Sequence, residues 1–473
     1  MGARLQVMKF GGTSVGNAEC MERAARIIAQ GARDGRCVAV VSAMSGVTNR
    51  LIEAAKIAQK GDAGSATGML EGLRAQHEKA LSSLVSGVEE RAQVSKKLDA
   101  VFAEGLRFCE GTALLRELSP RTMDAISSLG ERLSAPMVSA AVKELGLLSE
   151  SVEATELIVT DEFHGGAEPQ MGQTRGKSHA RILPLLDRGI VPVVTGFLGA
   201  TPEGELTTLG RGGSDYSATI LGAALDADEV IIWTDVDGVL TADPRLVSEA
   251  QTIPEISYRE AAELAYFGAK VLHPKTLRPV VQAGIPVWIR NSFAPEKPGT
   301  KISPEGQSNG TGVKALTAIR DVTLISVGGP GIVGLPDVVG RTFSTTAEVR
   351  ANVLLISQSS SQNDICFGVS TADAERTVDA LRKEFAQDLN HHKVEHIRVD
   401  PQIAIVAVVG QNMRGTPGIA GKTFNAMGKE GINLIAIAQG SSETNISFVI
   451  EEQSVVSALR SLHREFGLQQ SSL

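Results

Sequence analysis

The stretch that decides the fold is Val7-Met8-Lys9-Phe10-Gly11-Gly12-Thr13-Ser14, where a short apolar run contains a lysine and is followed by two glycines and two hydroxyl residues. A run of this length predicts a buried strand. Because glycine has no Cβ, the loop lets a phosphate group approach the backbone closely, with one fixed cation beside it. The stretch therefore predicts a phosphate site at the end of the first strand. The alternative is an ordinary turn with a solvated lysine.

Further apolar runs indicate a sheet in the chain up to about Phe293, at residues 37–41, 190–195, 229–233 and 285–289. None alternates with polar residues, which is typical of strands buried on both faces. Helical patterns separate them, so we predict an α/β domain with a mostly parallel sheet. Residues 65–147 are helical almost throughout and predict a helical insertion. Residues 163–176 are rich in glycine and polar residues and predict a mobile loop over a site.

Residues 295–299 and 304–312 carry the strongest linker signal, because prolines, glycines and polar residues separate two well-patterned regions. Beyond them the sequence repeats itself, with residues 327–361 matching 408–442. Arg341-Thr342-Phe343, for example, corresponds to Lys422-Thr423-Phe424. We interpret this as two copies of one small β/α module, which could share a groove.

The composition is that of an ordinary globular protein. With 473 residues and 42% hydrophobic content, the chain can form two or three domains. A net charge of −8 argues against a surface for nucleic acid or anionic membranes. The four cysteines form no C-x-x-C pair, and no apolar run approaches the length of a membrane span. We expect a cytoplasmic protein with reduced thiols and no nucleic-acid or membrane partner.

Two clusters follow predicted strands, at the edge of the sheet where ligands gather in α/β proteins. Residues 42–49 open a helix with hydroxyls and free backbone N–H groups, which suits an anion or a simple N-cap. Residues 208–215 place Arg211 among glycines, where its planar guanidinium can bind a substrate carboxylate. Asp215 opens the next helix, and its carboxylate suits either a helix cap or Mg²⁺ held against phosphates.

Two further loops supply positive charge. Residues 234–245 follow a very apolar strand and contain Arg245, a candidate phosphate contact, and residues 267–274 place Lys270 on a short turn. Phosphoryl transfer depends mainly on positioning and on neutralising charge on the moving group. Two lysines, an arginine, an aspartate suited to Mg²⁺ and several glycine turns therefore predict phosphoryl transfer.

Taken in order, the motifs resemble those of the aspartate kinases of the amino-acid-kinase superfamily, over residues 7 to about 466. The resemblance rests on residues 9–14, 42–49, Gly130-Glu131-Arg132-Leu133, 210–215, Trp233-Thr234-Asp235 with Asp243-Pro244-Arg245, and 267–274. It implies an ATP-dependent phosphotransferase with a carboxyl acceptor, which converts L-aspartate and Mg-ATP to 4-phospho-L-aspartate and ADP. That reaction is the first step towards lysine, threonine and methionine.

By the same resemblance, Lys9, Arg211 and Asp215 are the catalytic residues. Lys9 would steady the transferring phosphoryl group, and Asp215 would organise Mg²⁺ and the phosphates. The aspartate would be held by Thr48, Glu131, Arg211, Gly212, Gly213 and Ser214, with Glu131 facing its ammonium group. ATP would be lined by Lys9, Gly11, Gly12, Thr234, Asp235, Leu240, Arg245, Lys270 and Val271. The family usually has an aromatic residue at the place of Leu240, so we expect weaker nucleotide binding.

The repeats resemble the paired ACT modules of aspartate kinases, which are α+β units of ferredoxin-like fold. The resemblance implies a catalytic domain at 1–298, a linker at 299–312, a first ACT module at 320–395, and a second made of 313–319 and 396–473. Residues 356–358 and 438–443 resemble threonine-sensitive enzymes, so threonine rather than lysine is the expected effector. The expected effector contacts are Gln358 and Gln439, whose amides both donate and accept, with Asn352 and Asn433 near them. The family pattern implies a homodimer or tetramer through the ACT modules.

Two other functions stay open. Another carboxylate kinase, acting on glutamate or acetylglutamate, would share the phosphoryl-transfer residues but generally lacks the helical insertion and the repeats. A non-catalytic amino-acid sensor would use only the repeats, and the intact Lys9, Arg211 and Asp215 argue against it.

Overall fold

The computed structural model describes residues 4–268, 272–307, 312–329, 336–358, 364–413, 415–440 and 444–469. The chain divides into two compact units. The first comprises Met1–Val239, Pro254–Tyr258 and Val271–Gly306, and the second comprises Leu240–Ile253, Arg259–Lys270 and Gln307–Leu473.

The first unit is built on a sheet. Its strands are β1 (Leu5–Phe10), β2 (Arg36–Val41), β3 (Ser149–Val152), β4 (Val191–Thr195), β5 (Leu198–Ala200), β6 (Leu206–Thr208), β7 (Glu229–Thr234), β8 (Glu255–Ser257), β9 (Val287–Asn291) and β10 (Thr300–Ser303). Within the described residues, eight of them form one sheet in the order β3-β4-β2-β1-β7-β9-β10-β8, and β5 pairs with β6. All neighbours in the large sheet are parallel except β9 and β10. The predicted strands are confirmed as β2, β4, β7 and β9.

The apolar runs become strands because helices cover them. In β2, Val38, Ala39, Val40 and Val41 are all fully buried, which explains the absence of polar alternation. The helices of this unit are α1 (Ala18–Asp34), α2 (Val47–Gln59), α3 (Ala63–Leu84), α4 (Val88–Leu115), α5 (Pro120–Ser127), α6 (Leu129–Glu144), α7 (Met171–Asp187), α8 (Gly213–Ala224) and α10 (Pro274–Ala283). Helices α3 to α6 form the predicted helical insertion.

Two segments differ from the sequence-based expectation. The loop predicted for 163–176 ends earlier, because α7 begins at Met171. Thr174 is fully buried and its Oγ1 accepts a hydrogen bond from Val159 N (3.0 Å), which fixes the first turns of α7 despite the glycines at 172 and 176. The segment 299–312 contains β10, which pairs with β8 and β9 and therefore belongs to the sheet rather than to a linker.

The second unit contains a separate antiparallel sheet. Its elements are α9 (Tyr258–Tyr266), β11 (Ala315–Gly328), α11 (Pro336–Glu348), β12 (Val353–Gln358), β13 (Asp364–Ser370), α12 (Thr371–Glu384), α13 (Ala386–Asn390), β14 (His396–Val409), α14 (Ile419–Lys429), β15 (Ala436–Ala438), β16 (Asn445–Glu451) and α15 (Val455–Glu465). The strand order among the described residues is β12-β13-β11-β14-β16-β15.

The two repeats share the long central strands of this sheet. Both halves of β11 pair with β14, residues 315–319 with 405–409 and residues 322–328 with 396–403. Residues 322–328 also pair with 364–370 of β13. The strand expected at 313–319 falls within β11, where residues 315–319 pair with β14, and its assignment to the second module stays a prediction. Each repeat has its own apolar core, one containing Phe367 and Phe385 and the other Phe448 and Leu462. Among the described residues, no helix is both long and apolar enough to cross a membrane.

Candidate active site

A poorly exposed ion pair joins two elements of the first unit. Lys9 lies near the end of β1, and Asp215 lies in the first turn of α8. Lys9 Nζ is 2.6 Å from Asp215 Oδ1, and the two side chains are 10% and 16% exposed. Because little water screens the pair, its attraction is stronger than that of a surface pair. The lysine charge is therefore held in one place.

Glycines keep the backbone around this pair accessible. A Cβ on Gly11 would lie 3.3 Å from Lys9 Nζ. Helices α2 and α8 begin after Gly46 and Gly212, whose φ angles of 78° and 70° favour glycine. The first backbone N–H groups of each helix have no intrahelical acceptor, and the helix dipole is positive at that end. Two helix N-termini suited to an anion therefore lie at the site.

These elements surround a cavity of about 510 Å³, a volume that suits a small ligand. The cavity brings together predicted residues from separate parts of the sequence: Lys9, Gly11, Gly12, Thr48, Glu131, Gly212, Gly213, Ser214, Asp215, Thr234 and Asp235. Ser42 to Gly46 and Asn49 also line it. The ends of parallel strands meet at one edge of a sheet, which explains why these segments converge.

Glu131 contributes a buried carboxyl group to the cavity. It lies in the first turn of α6 and is 4% exposed, and its Oε1 accepts a hydrogen bond from Ala43 N (3.1 Å). Its Oε2 has no hydrogen-bond partner among the described residues. Burial raises the pKa of Glu131 to about 8, although the Ala43 N–H and the Lys9 charge act in the opposite direction. A carboxyl group with one unpaired oxygen is ready to receive a cationic group from a ligand.

Arg211 is placed differently from the other predicted residues of this loop. Gly210 and Gly212 on either side line the cavity, but the Arg211 side chain does not, and it is exposed. Burial, followed by the charge of Arg211, lowers the pKa of His273, so the guanidinium lies near that ring. Its contact with a substrate stays a prediction.

Two of the predicted nucleotide residues, Leu240 and Arg245, are not among the residues that line this cavity. Leu240 and Arg245 belong to the second unit, where Leu240 pairs with Thr252 and Arg245 binds Asp243 through Nε (3.0 Å) and Nη2 (2.6 Å). Lys270 and Val271 lie outside the described residues. The nucleotide contacts of these four residues stay predictions.

The predicted effector residues Gln358, Gln439, Asn352 and Asn433 are all exposed in the second unit. Gln358 ends β12, and Gln439 directly follows β15. Between these strands, Ser357 Oγ donates a hydrogen bond to Ile437 O (3.1 Å). The edge strands of the two repeats therefore meet beside the two glutamines.

Two residues in or near the cavity of the first unit were not predicted from the sequence. Phe197 lines the cavity with a φ of 72°, which is unusual for a residue other than glycine, and a Cβ on Gly213 would lie 2.5 Å from its ring. Its position two residues after the end of β4 was the available signal. Asp124 is 2% exposed and bonds to two loops near the site. No motif in the sequence marks it.

The fit of Mg²⁺ depends on Asp215. Across the ranges that the structure describes, no group of three or more His, Cys, Asp or Glu side chains could hold a metal ion. At nucleotide sites, Mg²⁺ usually takes one or two carboxylates, and phosphates and water complete its shell. Asp215, beside a cavity with two helix N-termini, fits this mode of binding.

Three comparisons place these features among known proteins. Residues 4–291 match the amino acid kinase family, and residues 325–385 and 406–466 each match an ACT domain. The bifunctional aspartokinase/homoserine dehydrogenase 2, chloroplastic, of Arabidopsis thaliana is 37% identical over 478 residues, which cover 100% of this chain and 52% of that protein. The chain thus spans about half the length of such relatives.

Two solved structures match nearly the whole chain. E. coli aspartokinase III in complex with aspartate and ADP is 30% identical, with a TM-score of 0.78, covering 98% of this chain and 99% of that one. The same enzyme in complex with lysine and aspartate gives a TM-score of 0.80 at 30% identity, with the same coverage.

Proposed function

Because the chain belongs to the amino acid kinase family and carries two ACT domains, we propose that it is an aspartate kinase. The reaction is ATP plus L-aspartate to ADP plus 4-phospho-L-aspartate, the first step towards lysine, threonine and methionine. The observation that carries this proposal is the shared cavity of the Lys9–Asp215 ion pair and the buried Glu131. One part of the cavity suits phosphates, and the other suits the ammonium group of an amino acid.

Each residue of the proposed site acts through its charge or through its hydrogen-bonding groups. An oxygen of the substrate's side-chain carboxylate attacks the γ-phosphorus of ATP, and the bond from that phosphorus to the bridging oxygen breaks. Lys9 neutralises the negative charge on the moving group, while the N–H groups of α2 and α8 offer donors to oxygens of the ligands. Glu131 binds the ammonium group, and Thr48, Ser214 and Arg211 orient the aspartate. Mg²⁺, when bound with ATP at Asp215, would neutralise charge on the phosphates.

A substrate panel tests the reaction. Purified protein is assayed for ADP release with L-aspartate, L-glutamate and N-acetyl-L-glutamate, and hydroxylamine traps the acyl phosphate. We expect turnover with aspartate in preference to the other two. Faster turnover with glutamate or acetylglutamate would favour another carboxylate kinase. No aspartate-dependent turnover would favour a non-catalytic amino-acid sensor.

A single methyl group at Gly213 is expected to impair this reaction. A Cβ there would lie 2.5 Å from the Phe197 ring, so Gly213→Ala must displace the ring or the start of α8. We expect kcat/KM for aspartate to fall about 10- to 100-fold, since small displacements of positioning groups have effects of that size. The matched control is Gly176→Ala in α7, where the new Cβ would meet nothing within 4 Å. The control should keep parental kinetics and gain about 0.5–1 kcal/mol in the free energy of unfolding. Equal kinetics for both variants would contradict the prediction.

We further propose that an amino acid, threonine in preference to lysine, inhibits the enzyme from the second unit. The support is the meeting of β12 and β15 beside two exposed glutamines, Gln358 and Gln439, with Asn352 and Asn433 on the segments that lead into these strands. Lysine is a serious competitor, because the E. coli aspartokinase III structure was solved with lysine. A homodimer or tetramer through the ACT modules and a cytoplasmic location belong to the same proposal.

Separate titrations with threonine and lysine distinguish the two effectors. We expect threonine to inhibit aspartate-dependent ADP release. Gln358→Ala or Gln439→Ala should raise the half-inhibitory concentration about tenfold, the loss expected when hydrogen bonds to a charged ligand are removed. The control is Gln453→Ala, which changes an exposed glutamine elsewhere in the second unit. Threonine should inhibit this variant at the same concentration as the parent. Inhibition by lysine alone would refute the assignment of threonine.

A further inference from the structure

Asp124 in α5 makes a network of contacts that the site described above does not use. Its side chain is 2% exposed. The carboxylate accepts hydrogen bonds from Gly165 N (3.0 Å), Thr208 N (3.2 Å) and Thr208 Oγ1 (2.6 Å), and it lies 2.9 Å from His164 Nδ1. The Gly165 N–H, the Thr208 N–H and the Thr208 hydroxyl are donors on two other segments, and the Asp124 carboxylate holds all three. Asp124 thus joins α5 to the loop at 163–166 and to the end of β6.

The end of β6 leads directly into the loop that carries Arg211 and Ser214. Thr208 is the last residue of β6, and α8 begins at Gly213. The two loops held by Asp124 also pack closely on each other. A Cβ on Gly210 would lie 2.9 Å from Gly165 O, so this contact exists only because residue 210 is a glycine. Asp124 therefore determines the position of both loops.

Asp124 is also linked to Glu131 through the backbone between α5 and α6. Ser128 N donates to Asp124 O (3.0 Å), and α6 begins at Leu129 with Glu131 in its first turn. Glu131 is the proposed contact of the substrate's ammonium group, and Arg211 with Ser214 is the proposed contact of its carboxylate. Asp124 lies on the short path between these two parts of the site.

We propose that Asp124 is a positioning residue that sets the spacing between Glu131 and the 208–214 loop, and through it the affinity for aspartate. This inference rests on the proposed function and extends it. Asp124 touches neither substrate, so its loss affects aspartate by displacing the groups that bind it. Displacements of about 1 Å are enough to cost about 100-fold in rate. A purely structural role would instead lower stability and leave the KM for aspartate unchanged in the folded enzyme.

The test compares two neighbouring threonines of β6. Thr208→Val removes the hydroxyl donor to Asp124 with almost no change in volume. Thr207→Val is the matched control, because Thr207 is equally buried and its hydroxyl shares a 2.7 Å hydrogen bond with Thr160 Oγ1 instead. Both variants lose one buried hydrogen bond, so similar losses of stability are expected. Only Thr208→Val changes the contacts of Asp124.

We expect Thr208→Val to raise the KM for aspartate about tenfold, the size of effect that one buried hydrogen bond to a charged group produces. Asp124→Asn should raise it further, because the amide presents N–H groups to donors. Thr208→Ser, which keeps the hydroxyl, should restore the parental KM. The KM for ATP and the kinetics of Thr207→Val should stay within about twofold of the parent, because the Thr207 hydroxyl bonds to Thr160 Oγ1 instead of to Asp124.

Equal KM values for aspartate in Thr208→Val and Thr207→Val would overturn the inference, as would a parallel rise in the KM for ATP. Calorimetric titration of the full chain with L-aspartate repeats the comparison without turnover. If the parent binds aspartate but releases no ADP, the proposed function fails while the calorimetric comparison still decides the role of Asp124. If the parent does not bind aspartate, both proposals are overturned.

Discussion

Lys9→Met is expected to lower kcat for aspartate-dependent ADP release by at least about a thousandfold, since cations aimed at a transferring phosphoryl group contribute about 10³ or more to such reactions. Methionine has a similar length and no charge, so the change removes the cation with little loss of volume. The KM for aspartate should change much less than kcat, because the charge acts mainly on the moving group. The measurement is a coupled ADP assay with saturating ATP and aspartate.

The control for this variant is Lys96→Met, which removes an exposed lysine of α4. It should retain parental kcat. Lys9→Met also leaves the Asp215 carboxylate without its partner at 16% exposure, so we expect a loss of about 1–3 kcal/mol in the free energy of unfolding, the cost of an unpaired polar group that is mostly buried. Unfolding curves therefore accompany the kinetics, to establish that the assayed protein is folded. A kcat within tenfold of the parent would remove Lys9 from the mechanism.

Glu131→Gln is expected to raise the KM for aspartate about 100-fold, because a buried charge that pairs with the substrate's ammonium group is replaced by a neutral amide of the same shape. The KM for ATP should not change. The parent should also show a pH dependence that the variant lacks. Burial raises the pKa of Glu131 to about 8. Below that pH, Glu131 is mostly protonated in the free enzyme and cannot pair with the ammonium group. The parental KM for aspartate should therefore rise about tenfold for each pH unit below about 8.

The same substitution should stabilise the protein at alkaline pH. Burial raises the pKa of Glu131 above its ordinary value of 4.5, so folding favours its neutral form. The unfolded chain loses the proton near pH 4.5, and the folded protein loses it near pH 8. The contribution of Glu131 to stability is therefore present below pH 4.5 and is lost as pH rises towards 8. Above pH 8 we expect Glu131→Gln to be more stable than the parent by about 2–4 kcal/mol, with a much smaller difference at pH 5.

Chemical unfolding of both proteins at pH 5 and pH 8.5, with the KM measured over the same range, checks this prediction. Two outcomes would contradict it: a parental KM for aspartate that does not depend on pH, or a variant that is less stable than the parent at both pH values. A gain in stability joined to a loss of substrate affinity is the signature of a group kept for binding.

The strands and loops of the first unit could be predicted because their causes are local. Residues 37–41 form a strand buried on both faces, and their continuous apolar run predicts such a strand. The stretch 42–49 and Asp215 were predicted to open helices, and α2 and α8 begin at these places, after Gly46 and Gly212 in left-handed conformations. The start of α7 was missed because a buried threonine, Thr174, outweighs two glycines, and burial depends on distant residues.

The amino-acid sequence by itself determined five of the eight strands that the structure describes in the large sheet, namely β1, β2, β4, β7 and β9. It also determined where the loops with lysine, glycine and aspartate fall, and that a repeated module follows. Those features depend on side-chain type and on spacing within a few residues. Only the tertiary structure decided that Lys9 pairs with Asp215, that Glu131 has a raised pKa, and that Asp124 joins two loops. Each of these features depends on which residues from remote parts of the chain exclude water from a charged group. Those spatial neighbours cannot be read from the linear sequence.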